Sequence, residues 1–282
     1  MSRTDITIAY RIYPEIGRET LVFADDKFRL SALCLRSMVA SLKGIRARFF
    51  LILDGCPASY RTLFEEALQG FETHFVELSG RGNAFTFGQQ LEILVTAESR
   101  WVYFAEDDYY YRPSAFSSMI QCMESEWRPD YVTGLDHRDY YDSPVHALPR
   151  VARVVGSDVW LESASTCLTF MTTPARLKED RSVFESYTRG CSDVGLWFAL
   201  TRRSLFHPRL WWRALKLKRH VILAYRDALL QCSSRSLIGP SRRLFAPQCS
   251  LALHLEKNSI PPGHDWKAEL ETAIDRYQVL NP

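Results

Sequence analysis

The first 110 residues alternate between short β-type runs and amphipathic helical stretches, and this alternation limits the chain to few folds. Residues 5–13 (DITIAYRIY) are β-branched and aromatic, as a strand requires. Residues 27–42 place Leu30, Leu33, Cys34, Met38 and Leu42 at helical spacing, and Gly44 stops the pattern. Residues 48–53 (RFFLIL) form a continuous apolar run, as in a strand covered on both faces. The run ends in the sharp turn Asp54-Gly55-Cys56-Pro57, and Pro57 opens a helix with Leu63, Phe64, Ala67 and Leu68 on one side. Residues 73–78 read as another strand and 80–83 as a loop. Residues 85–98 read as a helix turning Phe87, Leu91, Leu94 and Val95 inward. Residues 101–105 are strand again, halted by Glu106-Asp107-Asp108.

Such a β-α-β-α-β-α-β order predicts an α/β fold with a mixed, mainly parallel sheet flanked by helices. Ligands of such sheets bind beyond the carboxyl ends of the strands. Two acidic turns fall at those ends, Asp54 and the 106–108 triplet. The second half is less regular. Helices are expected over 113–125, 174–187 and 194–200, with a closing helix from Asp265; 136–150 is a polar, aromatic loop; 151–171 is strand-rich; 250–255 is a short strand. No repeat or linker divides the chain. A single domain over 1–282 is expected, with a nucleotide-type front half (1–112) and an elaborated back half (113–282).

Composition excludes several classes. With 46% hydrophobic and 24% charged residues the chain is neither disordered nor fibrous. No apolar run reaches the roughly 20 residues that span a bilayer, and residues 1–5 lack the pattern of a secretory signal. Seven scattered cysteines without a CxxC pair point to a reducing cytoplasm rather than disulfides or a zinc ribbon.

Three adjacent carboxylates after an apolar strand repel one another unless a cation joins them. Oxygen ligands of this kind select Mg²⁺ or Mn²⁺, whose remaining positions go to substrate phosphates and water. The other interpretation is a solvated acidic turn. Asp54 is either a turn-forming side chain before Gly55 or an acceptor for a nucleobase. Asp136, His137, Arg138 and Asp139 offer groups for a sugar or for solvent.

The order of these pieces resembles the family-2-type inverting glycosyltransferases of the GT-A fold. Four segments carry the resemblance: ITIAYRIYP, LILDGC, GRGNAFTFGQQ and WVYFAEDDYYYRP. Later, STCLTFMTTPARLKED resembles the acceptor side, GCSDVGLWFAL the position of the catalytic carboxylate, and SLALHLE the late strand with a metal-binding His. The resemblance implies a nucleoside-diphosphate sugar donor held by Arg11, Asp54, Asn83, Glu106 and Asp107, and Mn²⁺ or Mg²⁺ on Asp108 and His254. Asp193 would be the base that deprotonates the acceptor hydroxyl, giving inversion; Ser192 stands where the family carries Glu. A hexosyltransferase of bacterial-type cell-surface glycan or glycolipid synthesis is the implied role. From the residues alone, Asp193 could equally be a helix N-cap and His254 an ordinary strand histidine.

Of 35 basic and 33 acidic residues, eleven basic and one acidic fall between Val194 and Leu255, leaving an acidic body joined to a basic block. Within 202–226 the basic residues alternate with Trp, Leu, Ile and Tyr. Arg209, Trp211, Trp212, Arg213 and Lys216 are the expected contacts to a lipid-linked acceptor, a glycan or the inner membrane face. A core-packed helix with snorkelling basic side chains is the competing account. No nucleic-acid motif accompanies the block. Two alternatives to glycosyl transfer stand beside it: a non-catalytic sugar- or membrane-binding module, and a sugar nucleotidyltransferase. The latter wants a glycine-rich basic loop after the first strand, where this chain has Arg11-Ile12-Tyr13-Pro14.

Overall fold

The structure, a computed structural model, describes residues 4–143, 146, 148–205, 207 and 219–279. The front half follows the alternation closely. Strands β1 (Ile6–Ile12), β2 (Ala47–Asp54), β3 (Glu72–Leu78) and β4 (Trp101–Glu106) are linked by helices α1 (Lys27–Ser41), α2 (Ala58–Ala67) and α3 (Asn83–Val95). All four strands are parallel, with β1 between β2 and β4. The chain thus winds outward from β1 to β3 and returns to β1's other side. That reversal opens a crevice at the carboxyl ends of β1 and β4.

The back half extends the same sheet. Its strands are β6 (Tyr131–Val132), β7 (Ala152–Val155), β8 (Asp158–Ser163), β9 (Phe170–Thr172) and β10 (Leu244–Pro247). The nine-stranded order is β3-β2-β1-β4-β9-β6-β10-β8-β7. Only β6 and β10 pair in parallel beyond β4; the other pairs there are antiparallel. One core lies under α1, α2, α4 (Ala115–Glu124) and α11 (Trp266–Arg276). The other joins α3, α7 (Arg181–Thr188), α8 (Asp193–Thr201) and α9 (Arg219–Gln231). It is built on aromatic rings: Phe104 stacks on Phe87 at 5.3 Å and on Phe170 at 4.6 Å, and Trp197 meets Phe170 edge-on at 5.0 Å.

Several expectations are corrected. The helix expected over 174–187 is two, α6 (Pro174–Glu179) and α7, broken at Asp180. The Asp180 carboxylate turns into the protein, accepting from Tyr131 Oη (2.6 Å) and Arg242 Nε (2.7 Å). A buried carboxylate needs such partners, and their position outweighs helix continuity. The loop at 136–150 contains a short turn of helix, α5 (Asp139–Asp142). A strand absent from the sequence reading, β5 (Tyr109–Tyr111), follows the acidic triplet and pairs antiparallel with β11 (Ala252–His254). A short helix α10 (Ser233–Ile238) follows α9. All seven cysteines are free thiols. No helix among the described residues is long and apolar enough to cross a membrane.

Gly55, at the end of β2, has φ +72°, and its amide donates to Leu78 O at 2.8 Å. A Cβ there would meet only ordinary contacts, the nearest 3.5 Å away, so the cost of Gly55→Ala is backbone strain. The substitution should destabilise by about 1 kcal/mol, read as a lower urea midpoint at unchanged slope. An unchanged midpoint would show that the turn tolerates a side chain.

Candidate active site

At the carboxyl ends of β1, β2 and β4 lies a cavity of about 1210 Å³. That exceeds the roughly 300–1,000 Å³ of common small-ligand sites. Arg11, Asp54, Asn83, Glu106, Asp107, Asp108, Asp193 and His254 all line it. Six elements (β1, β2, α3, β4, α8 and β11) and the turn after β4 therefore deliver these residues to one space.

The three carboxylates of the triplet have different partners. Glu106 pairs with Arg11, and its Oε2 accepts from Thr169 Oγ1 at 3.0 Å. Arg11 also donates to Asn83 through both the main-chain oxygen (3.0 Å) and the side-chain oxygen. It thereby binds the ends of β1 and β4 to the start of α3. Asp107 is held by Lys27 Nζ at 2.9 Å, at the first residue of α1. Burial pushes its carboxyl up to about 6, against the opposing charge of Lys27 and with the help of Asp108. Asp108 faces His254 Nε2 at 3.2 Å. Burial would raise Asp108, but the charge and hydrogen bond of His254 outweigh it and hold it at about 2. His254 in turn is raised well above its ordinary range: burial works against its charged form, and Asp108 prevails.

Strand pairing explains this meeting. His254 lies opposite Tyr109 in the β5–β11 ladder, and its ring stacks on Tyr109 at 4.7 Å with planes 2° apart. Leu255 N donates to Asp108 O at 2.9 Å. Two atoms remain buried without a hydrogen-bond partner, Asp108 Oδ1 and His254 Nδ1. Asp108 Oδ1 is an orphaned acceptor that fits a divalent cation whose shell is completed by phosphate and water, and His254 can join it as a ligand once the ring gives up the proton that Asp108 favours. Glu106 and Asp107 are already neutralised by Arg11 and Lys27. The expectation of three mutually repelling carboxylates awaiting a metal therefore narrows to Asp108.

Asp54 lines the cavity, yet each of its oxygens already accepts a main-chain amide, from Arg81 and from Gly82, both at 2.7 Å. Its visible work is to fix the loop that begins α3. Each oxygen keeps a second lone pair, so this work is compatible with the expected contact to a nucleobase. Asn83 belongs to α3 rather than to the loop, and donates to Tyr187 Oη at 2.8 Å.

Asp193 is the first residue of α8, and the helix cap is its neighbour. Ser192 Oγ accepts from Gly195 N at 3.2 Å, so capping leaves Asp193 free for another task. Asp193 Oδ1 accepts only from Val194 N, at 2.7 Å. Burial raises its carboxyl, Glu106 and Asp139 add to the rise, and Val194 N and Arg18 oppose it. Ser192 also donates from N and Oγ to Asp227 Oδ2 on α9, at 3.1 and 2.9 Å. The two helices touch there: a Cβ on Gly195 would lie 2.8 Å from Asp227 Cβ.

Sequence reasoning missed Lys27, Tyr187, Cys167 and the role of His137. Lys27 carried a signal, since a cation in the first turn opposes the helix dipole and calls for a local carboxylate. The expected contacts Arg209, Trp211, Trp212, Arg213 and Lys216 lie outside the described residues. Nearby, Tyr225 is buried against Phe198 at 5.3 Å, while Ile222 and Leu230 are exposed. Among the described residues of 202–226, Leu205 and Tyr225 are therefore in the core and Ile222 is at the surface.

No protein-family model matches the chain, and no curated protein does. Several solved structures resemble it. TarS 1-349 of S. aureus in complex with UDP-GlcNAc matches at 11% identity and TM-score 0.41, over 64% of this chain and 48% of that one. This chain thus spans about half of TarS 1-349. A protein of Desulfovibrio desulfuricans G20, described as a candidate nucleotide-diphospho-sugar transferase, matches at 15% and 0.43, over 71% and 77%. The inositol-1-phosphate CTP transferase of T. maritima matches at 13% and 0.42, over 98% and 97%. These neighbours include both nucleotide-sugar and nucleotidyl transferases. At such scores the likeness decides nothing between them, and the functional assignment rests on the cavity residues.

Proposed function

We propose that the chain is a glycosyltransferase that moves a sugar from a nucleoside-diphosphate sugar to an acceptor hydroxyl with inversion. One observation carries the proposal: a buried carboxylate with raised proton affinity, bonded to the amide of Val194 while Ser192 caps the helix, shares a cavity with a carboxylate–imidazole pair that has two unpartnered atoms. The pair suits the leaving diphosphate, and Asp193, on α8, suits the incoming hydroxyl. Asp108 and His254 would hold Mn²⁺ or Mg²⁺, which when bound neutralises charge on the diphosphate. Asp193 accepts the hydroxyl proton. Arg11 and Asn83 fix the wall formed by β1 and α3, and Asp54 orders the loop at its edge.

A sugar nucleotidyltransferase is the second reading, because Arg11 and Lys27 are cations that a triphosphate also requires. Both are already spent on carboxylates, and a sugar phosphate attacks as an anion that needs no base such as Asp193. A donor panel scored for nucleoside diphosphate, with and without Mn²⁺, tests the first reading. Nucleoside triphosphate with sugar phosphate, scored for pyrophosphate, tests the second. Pyrophosphate in place of diphosphate would overturn the proposal, as would donor binding without release, the behaviour of a non-catalytic module.

The acceptor is proposed to be lipid-linked or a membrane-proximal glycan, engaged by the basic block. Each basic residue near an anionic leaflet adds about 1 kcal/mol. The protein should sediment with anionic vesicles at low salt and be released as salt rises. Replacing Arg209, Arg213, Lys216, Lys218 and Arg219 with Gln should abolish sedimentation. Wild-type protein that stays in the supernatant would point to a soluble acceptor.

A further inference from the structure

Beside the Asp108–His254 pair stands a second group of donors that shares His254 with it and adds His137 and Cys167, which the transferase reading leaves unused. One ligand atom each from His137, Cys167 and His254 lie within 4.8 Å of one another. They come from three separate places: the loop before α5, the segment before β9, and β11. We propose that His137, Cys167 and His254 form a binding site for a borderline-soft transition metal of the Zn²⁺ class.

Hydrogen bonding selects the nitrogen each ring can offer. His254 Nε2 faces Asp108 at 3.2 Å, so the atom left for a metal is Nδ1, which is buried without a partner. A metal-binding imidazole usually directs its other nitrogen at a carboxylate in this way, which fixes the ring and its tautomer. His137 reaches the arrangement only by a change of tautomer, since its Nδ1 now accepts from an amide and the neutral ring carries its proton on Nε2. Its Nδ1 meets the Asp139 amide at 3.0 Å and the Asp139 carboxylate at 3.7 Å, leaving Nε2. On metal binding the Asp139 carboxylate becomes the acceptor for Nδ1–H.

The donor set decides the class of metal. Two imidazoles and a thiolate suit Zn²⁺ and Co²⁺, and disfavour Mg²⁺, which seeks oxygen ligands. All three residues line the cavity, so a fourth position opens onto it. Three protein ligands with an open position characterise zinc sites that take up water or a substrate. Binding exchanges the Cys167 thiol proton for the metal. It also takes His254 from the hard-cation pair, so the two metals compete for this ring.

Co²⁺ titration of the metal-free, full-length protein tests the site. One Co²⁺ per chain should bind, with a thiolate-to-cobalt charge-transfer band and tetrahedral visible bands that Zn²⁺ abolishes. Cys167→Ser should remove the charge-transfer band. His137→Ala should weaken binding about tenfold or more, a loss on the scale seen for altered zinc shells. Far-UV circular dichroism on each variant confirms folding. No band in folded wild-type protein overturns the proposal, and so does a band that survives in folded Cys167→Ser. The readout needs no donor: absent glycosyl transfer leaves the site standing, and transfer without the band removes the site alone.

Discussion

Asp108→Asn is expected to lower metal-supported release of nucleoside diphosphate by about 10²–10³-fold, the loss seen when one aimed charge-stabilising contact is removed from a reacting centre. The side chain keeps its shape and can still accept from His254, so the fold should survive. Its folded-state acidity adds a stability term. A carboxyl held at about 2 stabilises the native state above the ordinary carboxylate range, and that contribution disappears as pH falls toward 2. The Asn variant lacks the term, so its melting temperature should lose part of the acid dependence shown by the wild type. Both side chains are partly exposed, at 32% and 16%, which keeps the cost at neutral pH near 1 kcal/mol. Undiminished release in chelator-treated, metal-restored buffer would remove Asp108 from the chemistry.

Asp193→Asn should lower transfer to the acceptor by about 10²–10⁴-fold with donor affinity little changed, as the loss of a general base requires. The pH profile separates this from a structural effect. A base works deprotonated, and burial has raised Asp193. Wild-type transfer should therefore rise with pH along a limb placed above the ordinary carboxylate range. Residual activity of the Asn variant should lack that limb. A limb that persists belongs to another carboxyl, and Asp107, at about 6, is the one to examine. A variant that melts early but transfers normally per folded molecule would make Asp193 a structural residue.

Much of the front half was legible in the sequence because one period governs each segment. Strands β1 to β4 and helices α1 to α3 lie close to their expected limits. Their polar ends were legible too, since a carboxylate directly after an apolar strand must sit at the sheet's edge. The partners of those carboxylates were not. Arg11 and Lys27 reach Glu106 and Asp107 from distant elements, and no local pattern encodes such a pairing. Strand β5 is three residues long and exists because β11 pairs with it. The break at Asp180 was hidden for the same reason: its cause, Arg242, follows 62 residues later. Cys167 is one of seven scattered cysteines in the sequence, and the two histidines near it come from segments 30 and 87 residues away.

The contact between α8 and α9 has a mechanical consequence. Gly195 lets the two helices approach until no side chain fits between them, and Ser192 is bonded twice to Asp227. A shift of α9 along its axis must either break both bonds or carry Ser192 with it. Asp193 is covalently joined to Ser192. The helix that holds the end of the basic block is thus tied to the residue before Asp193, and in the proposed transfer a load placed on it by a docked acceptor would arrive at the carboxylate proposed to meet the acceptor's hydroxyl.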